Sequence, residues 1–434
     1  MEGYPKFVTV HTLRYQQPGN PNRDELGNAK KIDIGMTERG RVSSQCRKYW
    51  IRNSEEFRKN LEDENLGIRT KDVGRILYDA LYEGSDLDRG GLALPTYNKY
   101  SQEKSILMAS IGSAFMEDSF PSKGQKGFMG HAKTSSDLVD RLEKFDPENG
   151  DNDNPFKELN KIFQTDAVAF YSHGELKQMI EAAHLVLETH IPEDYSYTGT
   201  NKDVIRGWYT DIKNTFETAY ADTEISPDVA LLGRMKASRP KDNVDGAVFI
   251  SHDITTNRAE SAFDMFTATD DYRKSGSKED NGSDHLGSRS MIQGVFYSHV
   301  TVDVHKLYEN LGEDQERTLK VMRAFLRTFC EVAPQAMRTS YGYNSKPFHI
   351  RVEKSDLQPV TYHLAFLSPV DATAEYSGQD VTDIAQVSSQ RLEEYAQMVE
   401  KKWVSDGDTY ESASFCTLPK YPLGDTYETL WDVI

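Results

Sequence analysis

Two short β-type runs, Ala247-Val248-Phe249-Ile250 and Gly294-Val295-Phe296-Tyr297, stand on either side of a long excursion. Residues 255–293 hold Phe263-Asp264-Met265-Phe266-Thr267-Ala268, then Gly276, Gly282 and His285-Leu286-Gly287, so aromatics and Met alternate with polar turn formers. Excursions of this length are uncommon inside a compact domain and are usually functional. Any fold for this chain must therefore join two strands and let a long arm leave between them. An arm that displays apolar side chains can wedge between nucleic-acid bases without reading sequence, at about 1–3 kcal/mol per stacked base. Adjacent Phe and Met are also common core residues, so the arm's length and polarity carry the functional reading.

The rest of the chain fixes the fold class. Its 434 residues call for two or three structural units. Phe7 to Leu13 reads as a strand, Gln16 to Asn22 as a loop, and Ser43 or Ser44 as the cap of a helix running to about Asn53. From Glu55 to about Tyr220 the pattern is mostly helical, as in Leu176-Met179-Ile180-Ala183-Leu187, with an acidic break from Asp146 to Pro155. Strands resume at 245–254 and 294–304, and helices at Glu313–Val332 and Ser388–Val404. Strands and helices that do not alternate regularly point to α+β, and a split βαβ, ferredoxin-like sheet with two insertions accommodates the order.

The formal charge of −18 opposes nucleic acid as a partner of the whole surface. It is unevenly placed. Residues 22–52 carry Arg23, Lys30, Lys31, Arg39, Arg41, Arg47, Lys48 and Arg52 against only four acids, a local +4. Charges beyond a Debye length are screened, so a local basic face decides phosphate binding. Within that face, Ser43-Ser44-Gln45 opens a helix whose first N–H groups and dipole favour an anion. Lys48 and Arg52, four apart, share one side of it. An ordinary N-cap on an amphipathic helix is the plainer reading of the same residues. Arg234 and Lys236 flank Met235 after Gly233, as two candidate phosphate contacts around an apolar plug. Lys123, Lys126 and Lys133 form a further basic loop, without the spacing of a phosphate-binding P-loop.

Chemistry has weaker candidates. His299, Asp303 and His305 lie at even offsets and could share one strand face around a metal, and Asp253, Asp270 and Asp271 offer further carboxylates. A solvated polar face is the competing reading. Ser251-His252-Asp253 is no triad, because the fold and not adjacency assembles one. Cys46, Cys330 and Cys416 are far apart and follow no zinc or disulfide spacing, as in a reducing cytoplasm. Met1 to Thr12 lacks the pattern of a secretory signal, and no run approaches a membrane span.

Several segments occur in one order: Asn22-Arg23-Asp24; Arg41-Val42-Ser43-Ser44-Gln45 with Lys48 and Arg52; Asp228 to Met235; Asp245-Gly246-Ala247 leading to His252; Phe266-Thr267-Ala268; His285-Leu286-Gly287; Gly294 to Tyr297; and Pro334 with Arg338-Thr339. In this they resemble the CasC family, the repeated backbone subunit of the type I-E CRISPR surveillance complex Cascade. The matched stretches make up about a quarter of the chain. The resemblance implies an RRM-like palm in three parts (1–57, 223–254 and 294–434), helical fingers inserted at 58–222 and a β-hairpin thumb at 255–293. It implies a non-catalytic subunit without cofactor or metal, polymerising with further copies of itself along CRISPR RNA, beside other Cascade subunits. Target DNA is met through the guide, whose sequence is read by base pairing. Arg23, Arg41, Ser43, Ser44, Gln45, Lys48, Arg52, Arg234 and Arg338 are the implied RNA contacts, with Met235, Met265 and Phe266 against displaced bases. Related backbone subunits cut RNA with a thumb aspartate, which makes a metal-dependent ribonuclease using Asp264 or Asp270 the alternative.

Overall fold

The computed structural model describes residues 1–433 except 2, 63, 84–93, 98, 117–162, 166, 194–201, 222, 238, 260–261, 269–284, 372–374, 377–378 and 381–382. The basic loop of Lys123, Lys126 and Lys133, the 146–155 break, Asp270 and Asp271 thus lie outside the described residues.

The order of elements is β1 (Phe7–Gly19), β2 (Lys31–Ile34), β3 (Thr37–Val42), α1 (Ser44–Arg52), α2 (Glu55–Leu61), β4 (Ile68–Thr70), α3 (Val73–Tyr78), α4 (Gln102–Met116), β5 (Ala169–Tyr171), α5 (His173–Thr189), α6 (Lys202–Ala221) and α7 (Pro227–Leu232). Then come β6 (Val248–Ile250), β7 (Asp253–Thr255), β8 (Ala262–Ala268), β9 (His285–Asp303), α8 (Val304–Asn310), α9 (Gln315–Glu331), α10 (Arg338–Tyr341), β10 (His349–Ser355), β11 (Glu375–Tyr376), β12 (Gln379–Asp380), α11 (Ile384–Trp403), β13 (Tyr410–Leu418), β14 (Tyr421–Leu423) and α12 (Tyr427–Leu430). The chain is α+β. It divides into two compact units, 1–62 with 247–308 and 314–434, and 63–246 with 309–313.

The first unit is built on an antiparallel sheet in the order β14-β13-β10-β1-β9-β7-β3-β2, with β6 and β8 also paired to β9. β1 is buried on both faces over its first eight residues, because helices cover it on both sides. On one face, Arg14 reaches the Cys330 carbonyl of α9 at 2.6 Å. On the other, Leu13, Val295 and Tyr297 pack with Tyr362, Phe366, Leu392 and Ala396, which brings in α11. Period-2 alternation along β1 and β9 separates the two sets.

β9 explains the excursion. Its second half is central in the sheet, opposite β1 from Gly294 to Asp303. Its outer part pairs with β8, Ala262 with Met291 through to Ala268 with His285, while Ile292 still pairs with Gly19 of β1. Gly294, at φ 144°, sits at the change of partner, where a Cβ would collide with the Asn257 side chain. The strand expected at 294–304 is therefore the inner part of a longer one.

The second unit is mostly helical. α3, α4 and α5, with the outer part of α6, enclose Leu77, Ile106, Phe115, Phe163, Leu176, Met179, Ile180 and Phe216. The apolar period of 3.6 read in Leu176, Met179, Ile180, Ala183 and Leu187 is the buried stripe of α5.

Candidate nucleic-acid interface

α1 begins where the sequence places it. Ser43 is the N-cap in extended backbone, its Oγ accepting the Cys46 N–H, and Asn53 closes the helix. Of its side chains, Arg47 and Ile51 are buried. Arg47, 2% exposed, donates to the carbonyls of Val332 (2.7 Å) and Phe329 (2.8 Å) and lies 3.3 Å from the Asp253 carboxylate. Its guanidinium also covers the Phe329 ring at 4.7 Å. These bonds clamp α1 onto α9. One position further, Lys48 and Arg52 are left half-buried at the rim. Burial pulls the Lys48 ammonium below its usual pKa.

The remaining basic residues gather around the same helix start. The Ser43 N–H donates to Asn22 Oδ1 at 3.0 Å, which ties the Arg23 turn to the cap. Asp24 Oδ1 accepts the N–H groups of Leu26 and Asn28 and fixes that turn, with Arg23 exposed beside it. The Arg41 N–H donates to the Lys30 carbonyl at 2.9 Å, so these two cations are neighbours. Arg23, Lys30, Arg41, Ser44, Gln45, Lys48 and Arg52 thus belong to one region of the first unit.

Two expectations change there. The Ser44 N–H donates to His252 Nδ1 at 2.9 Å and the Cys46 N–H to Ser43 Oγ at 3.3 Å. The start of α1 is therefore largely satisfied by protein atoms, and its appeal to phosphate rests on the side chains. His252 was missed as a member of the region. Burial, with Arg41 adding to it, holds its imidazole below the usual pKa, so Nδ1 keeps the lone pair that this bond needs. Second, Arg39 is fully buried and donates to the carbonyls of Thr255, Thr256, Phe366 and Leu367. Arg39 and Arg47 are structural, and the exposed basic face is smaller than the local count of cations implied.

In the arm, alternation decides exposure. Phe263 and Met265 point to one side, each 67% exposed. Phe266 points to the other, where its ring lies over Gly287 and under the Arg289 guanidinium at 4.3 Å. Of the expected pair only Met265 is presented. Its exposed partner is Phe263, which a period-2 reading of the run would have found. Asp264 faces Arg289 across the ladder.

In the second unit, Arg234 corrects an expected phosphate contact. It is buried, donating to Glu175 Oε2 (2.5 Å) and to the Asp242 carbonyl (2.8 Å). Lys236 is equally enclosed, bonded to Tyr220 and 4.7 Å over the Tyr171 ring. Burial lowers its pKa to about 8, against the pull of Glu175. What this network presents outward is Met235, 79% exposed. Arg338, in the first unit, lines a cavity of about 320 Å³ with Gln16, Gln335, Tyr343, Asn344 and Lys346.

The metal candidates do not converge. His299 is buried with Nε2 3.1 Å from Thr301 Oγ1. Asp303 caps α8 by accepting the Lys306 N–H, and His305 lies within that helix, near the Tyr4 carbonyl. Among the described residues no three His, Cys, Asp or Glu side chains gather as metal ligands. No described helix is long and apolar enough to cross a membrane.

Known proteins share this architecture. A solved chain described as "CRISPR RNA-guided surveillance complex, pre-nicking" is 20% identical, with 98% of each chain covered and a TM-score of 0.65. Another, described as "CRISPR RNA-guided surveillance complex", is 18% identical over 98% of this chain and 97% of that one, with a TM-score of 0.52. Both are likenesses of fold. No curated protein matches. The sequence matches the family described as CT1975-like protein across residues 8–420, nearly its whole length. The family resemblance read from the ordered motifs is thereby borne out, and the chain belongs to the CT1975-like protein family.

Proposed function

We propose that this chain is a non-catalytic backbone subunit of a type I-E Cascade, holding CRISPR RNA and presenting it for pairing with target DNA. The observation that carries this reading is the region around α1. In a chain of charge −18, Arg23, Lys30, Arg41, Lys48 and Arg52 gather at one helix whose orientation is fixed by a buried arginine. Such a patch holds a ribose-phosphate backbone by local potential, whatever the net charge.

The sheet supports the finer fold reading. The run β10-β1-β9-β6, with α1 after β1 and α9 between β9 and β10, has the order of a split βαβ palm. The β8–β9 arm serves as thumb, and its exposed Phe263 and Met265 prop bases apart on RNA held by a neighbouring copy. Both structural relatives being parts of CRISPR RNA-guided complexes favours the same partner. Further copies of the chain and other Cascade subunits complete the assembly, in the cytoplasm.

Filter binding of guide RNA across a salt series tests the proposal. Lys48→Ala with Arg52→Ala weakens binding and lowers the slope of log K against log salt by about 1.4, at about 0.7 per single-strand phosphate. Unchanged affinity and slope would remove α1 from the RNA contact.

A further inference from the structure

At one end of the first unit's sheet the helical cover stops. α11 ends at Trp403, with Val404 as its C-cap, and the strands run on beneath. Phe7 of β1, Ser355 of β10 and Tyr410 of β13 form one cross-strand row, and Thr9 and Glu353 pair in the next. Period-2 alternation puts Phe7 and Thr9 on the same face as Leu13, which packs under α11. A cavity of about 230 Å³ results. Leu357, Pro359, Val360, Val399 and Val404 give it apolar walls, and Phe7, Tyr362, Tyr410 and Trp403 add four aromatic rings. Trp403, 72% exposed, stands at the mouth.

Glu353 brings a charge into this apolar space. It is 7% exposed and lines the cavity. Its Oε1 accepts from Arg351 Nε at 2.7 Å and from the Tyr362 hydroxyl. Its Oε2 has His11 Nε2 beside it at 3.5 Å, longer than a formed hydrogen bond. Arg351 does not cancel the charge, because Glu393, at 3.0 Å, and Glu400 draw on the same guanidinium. Three carboxylates thus share one arginine, with the imidazoles of His11 and His349 at the edges. The exposed Lys6 lies over the Phe7 ring at 5.1 Å, while Glu353 pairs with Arg351 and His11 instead. The hydroxyls of the cavity are engaged elsewhere, Thr9 with Thr301 at 2.8 Å and Tyr410 with Glu400 at 2.9 Å. A primary ammonium or a guanidinium would find too few acceptors here, and each N–H left over costs free energy. A methylated ammonium carries the charge without an N–H, and its methyl groups suit aromatic faces.

We propose that this cavity binds a small methylated ammonium of the choline class, held by Glu353 and the aromatic rings. The volume suits a compact ligand, since drug-sized molecules fill about 300–1,000 Å³. A carboxylated analogue such as betaine is disfavoured by the same three acids. Trp403 closes over the methyl groups from the mouth, and Glu353 supplies the countercharge at the base. The site uses none of the α1 cations, so it stands whether or not α1 holds the guide.

Isothermal titration calorimetry of the full chain with choline tests this, against dimethylbutanol, which keeps the shape and lacks the charge. Choline is expected to bind about tenfold tighter than the alcohol. Trp403→Ala changes an exposed position, should leave the melting temperature unaltered, and is expected to weaken choline binding about tenfold. Glu353→Gln keeps the shape and removes the charge, and is expected to abolish the preference for choline over the alcohol. Its folding is checked by the melting temperature; if it does not fold, the parent's preference and Trp403→Ala decide. Equal affinities of the parent for choline and the alcohol would overturn the proposal and mark the cavity as apolar only. So would the absence of choline binding, or a Trp403→Ala affinity within about twofold of the parent.

Discussion

Lys48 and Arg52 on α1 and Arg234 and Lys236 after α7 look alike as sequence, closely spaced cations beside a cap or a glycine. They have opposite fates. Arg234 and Lys236 face Glu175, which arrives on α5 from far along the chain and closes a buried network with Tyr220 and Asp242. Lys48 stands at the rim of a helix whose buried cation, Arg47, has taken the available carboxylate, Asp253. A cation's role is thus set by whether tertiary structure encloses it among acceptors, a carboxylate for Arg234 and carbonyls for Arg39.

The largest expected effect comes from breaking the buried side of this contrast. Arg234→Ala takes the nearest cation from the enclosed Glu175 carboxylate, which keeps Lys236 at 3.7 Å and the Tyr220 hydroxyl, and should destabilise the second unit by about 3–5 kcal/mol in urea unfolding. Guide affinity per folded molecule should be unchanged. A loss of stability below about 1 kcal/mol would place Arg234 with the exposed cations instead.

The next effect concerns acid. Under α11, Glu353 accepts from Arg351 at 2.7 Å and from Tyr362, with His11 at 3.5 Å. Burial pushes its carboxyl up, but His11 and Arg351 outweigh it and hold the pKa at about 2. The folded value lies below the unfolded one, about 4.3, so this stability is present above pH 4 and is lost as pH falls toward 2. It amounts to about 3 kcal/mol. Glu353→Gln should flatten the acid limb of a stability–pH profile, and an unaltered limb would contradict the assignment.

On the exposed side, Lys48→Ala with Arg52→Ala should change stability by less than about 0.5 kcal/mol each. It should weaken RNA binding roughly tenfold per contact. A fall in melting temperature with unchanged RNA affinity would reverse the comparison. The smallest effects on stability belong to the arm. Phe263→Ala and Met265→Ala should leave stability nearly unaltered and cost about 1–3 kcal/mol of single-strand affinity per base contacted. Phe266→Ala should act through the hairpin, uncovering Arg289. Equal RNA effects from Phe263 and Phe266 would sink the distinction between the two faces of the arm.

Much of the architecture was legible because periodicity and caps are local signals. Ser43 and Asn53 bound α1 as expected, and the apolar stripes of α9 and α11 mark those helices. The outer half of β9 was not legible in the periodicity, since a hairpin outside the core lacks a buried face to impose a pattern, and it was expected only through the resemblance. At the site, the helix and its rim cations could be read. The burial of Arg39 and Arg47 could not, because their acceptors are backbone carbonyls more than two hundred residues away. His252 was hidden for the same reason. Its bond to the Ser44 N–H joins residues 208 apart, and no motif encodes that pairing.

The central claim is that the α1 cations hold guide RNA. Nucleic acid released from purified assemblies, run on a denaturing gel, tests it most directly. RNA of one defined length from the parent protein, and its loss from the Lys48→Ala, Arg52→Ala variant, is the predicted result. Parent protein that carries no RNA, or a variant that retains the same RNA in equal amount, would contradict it.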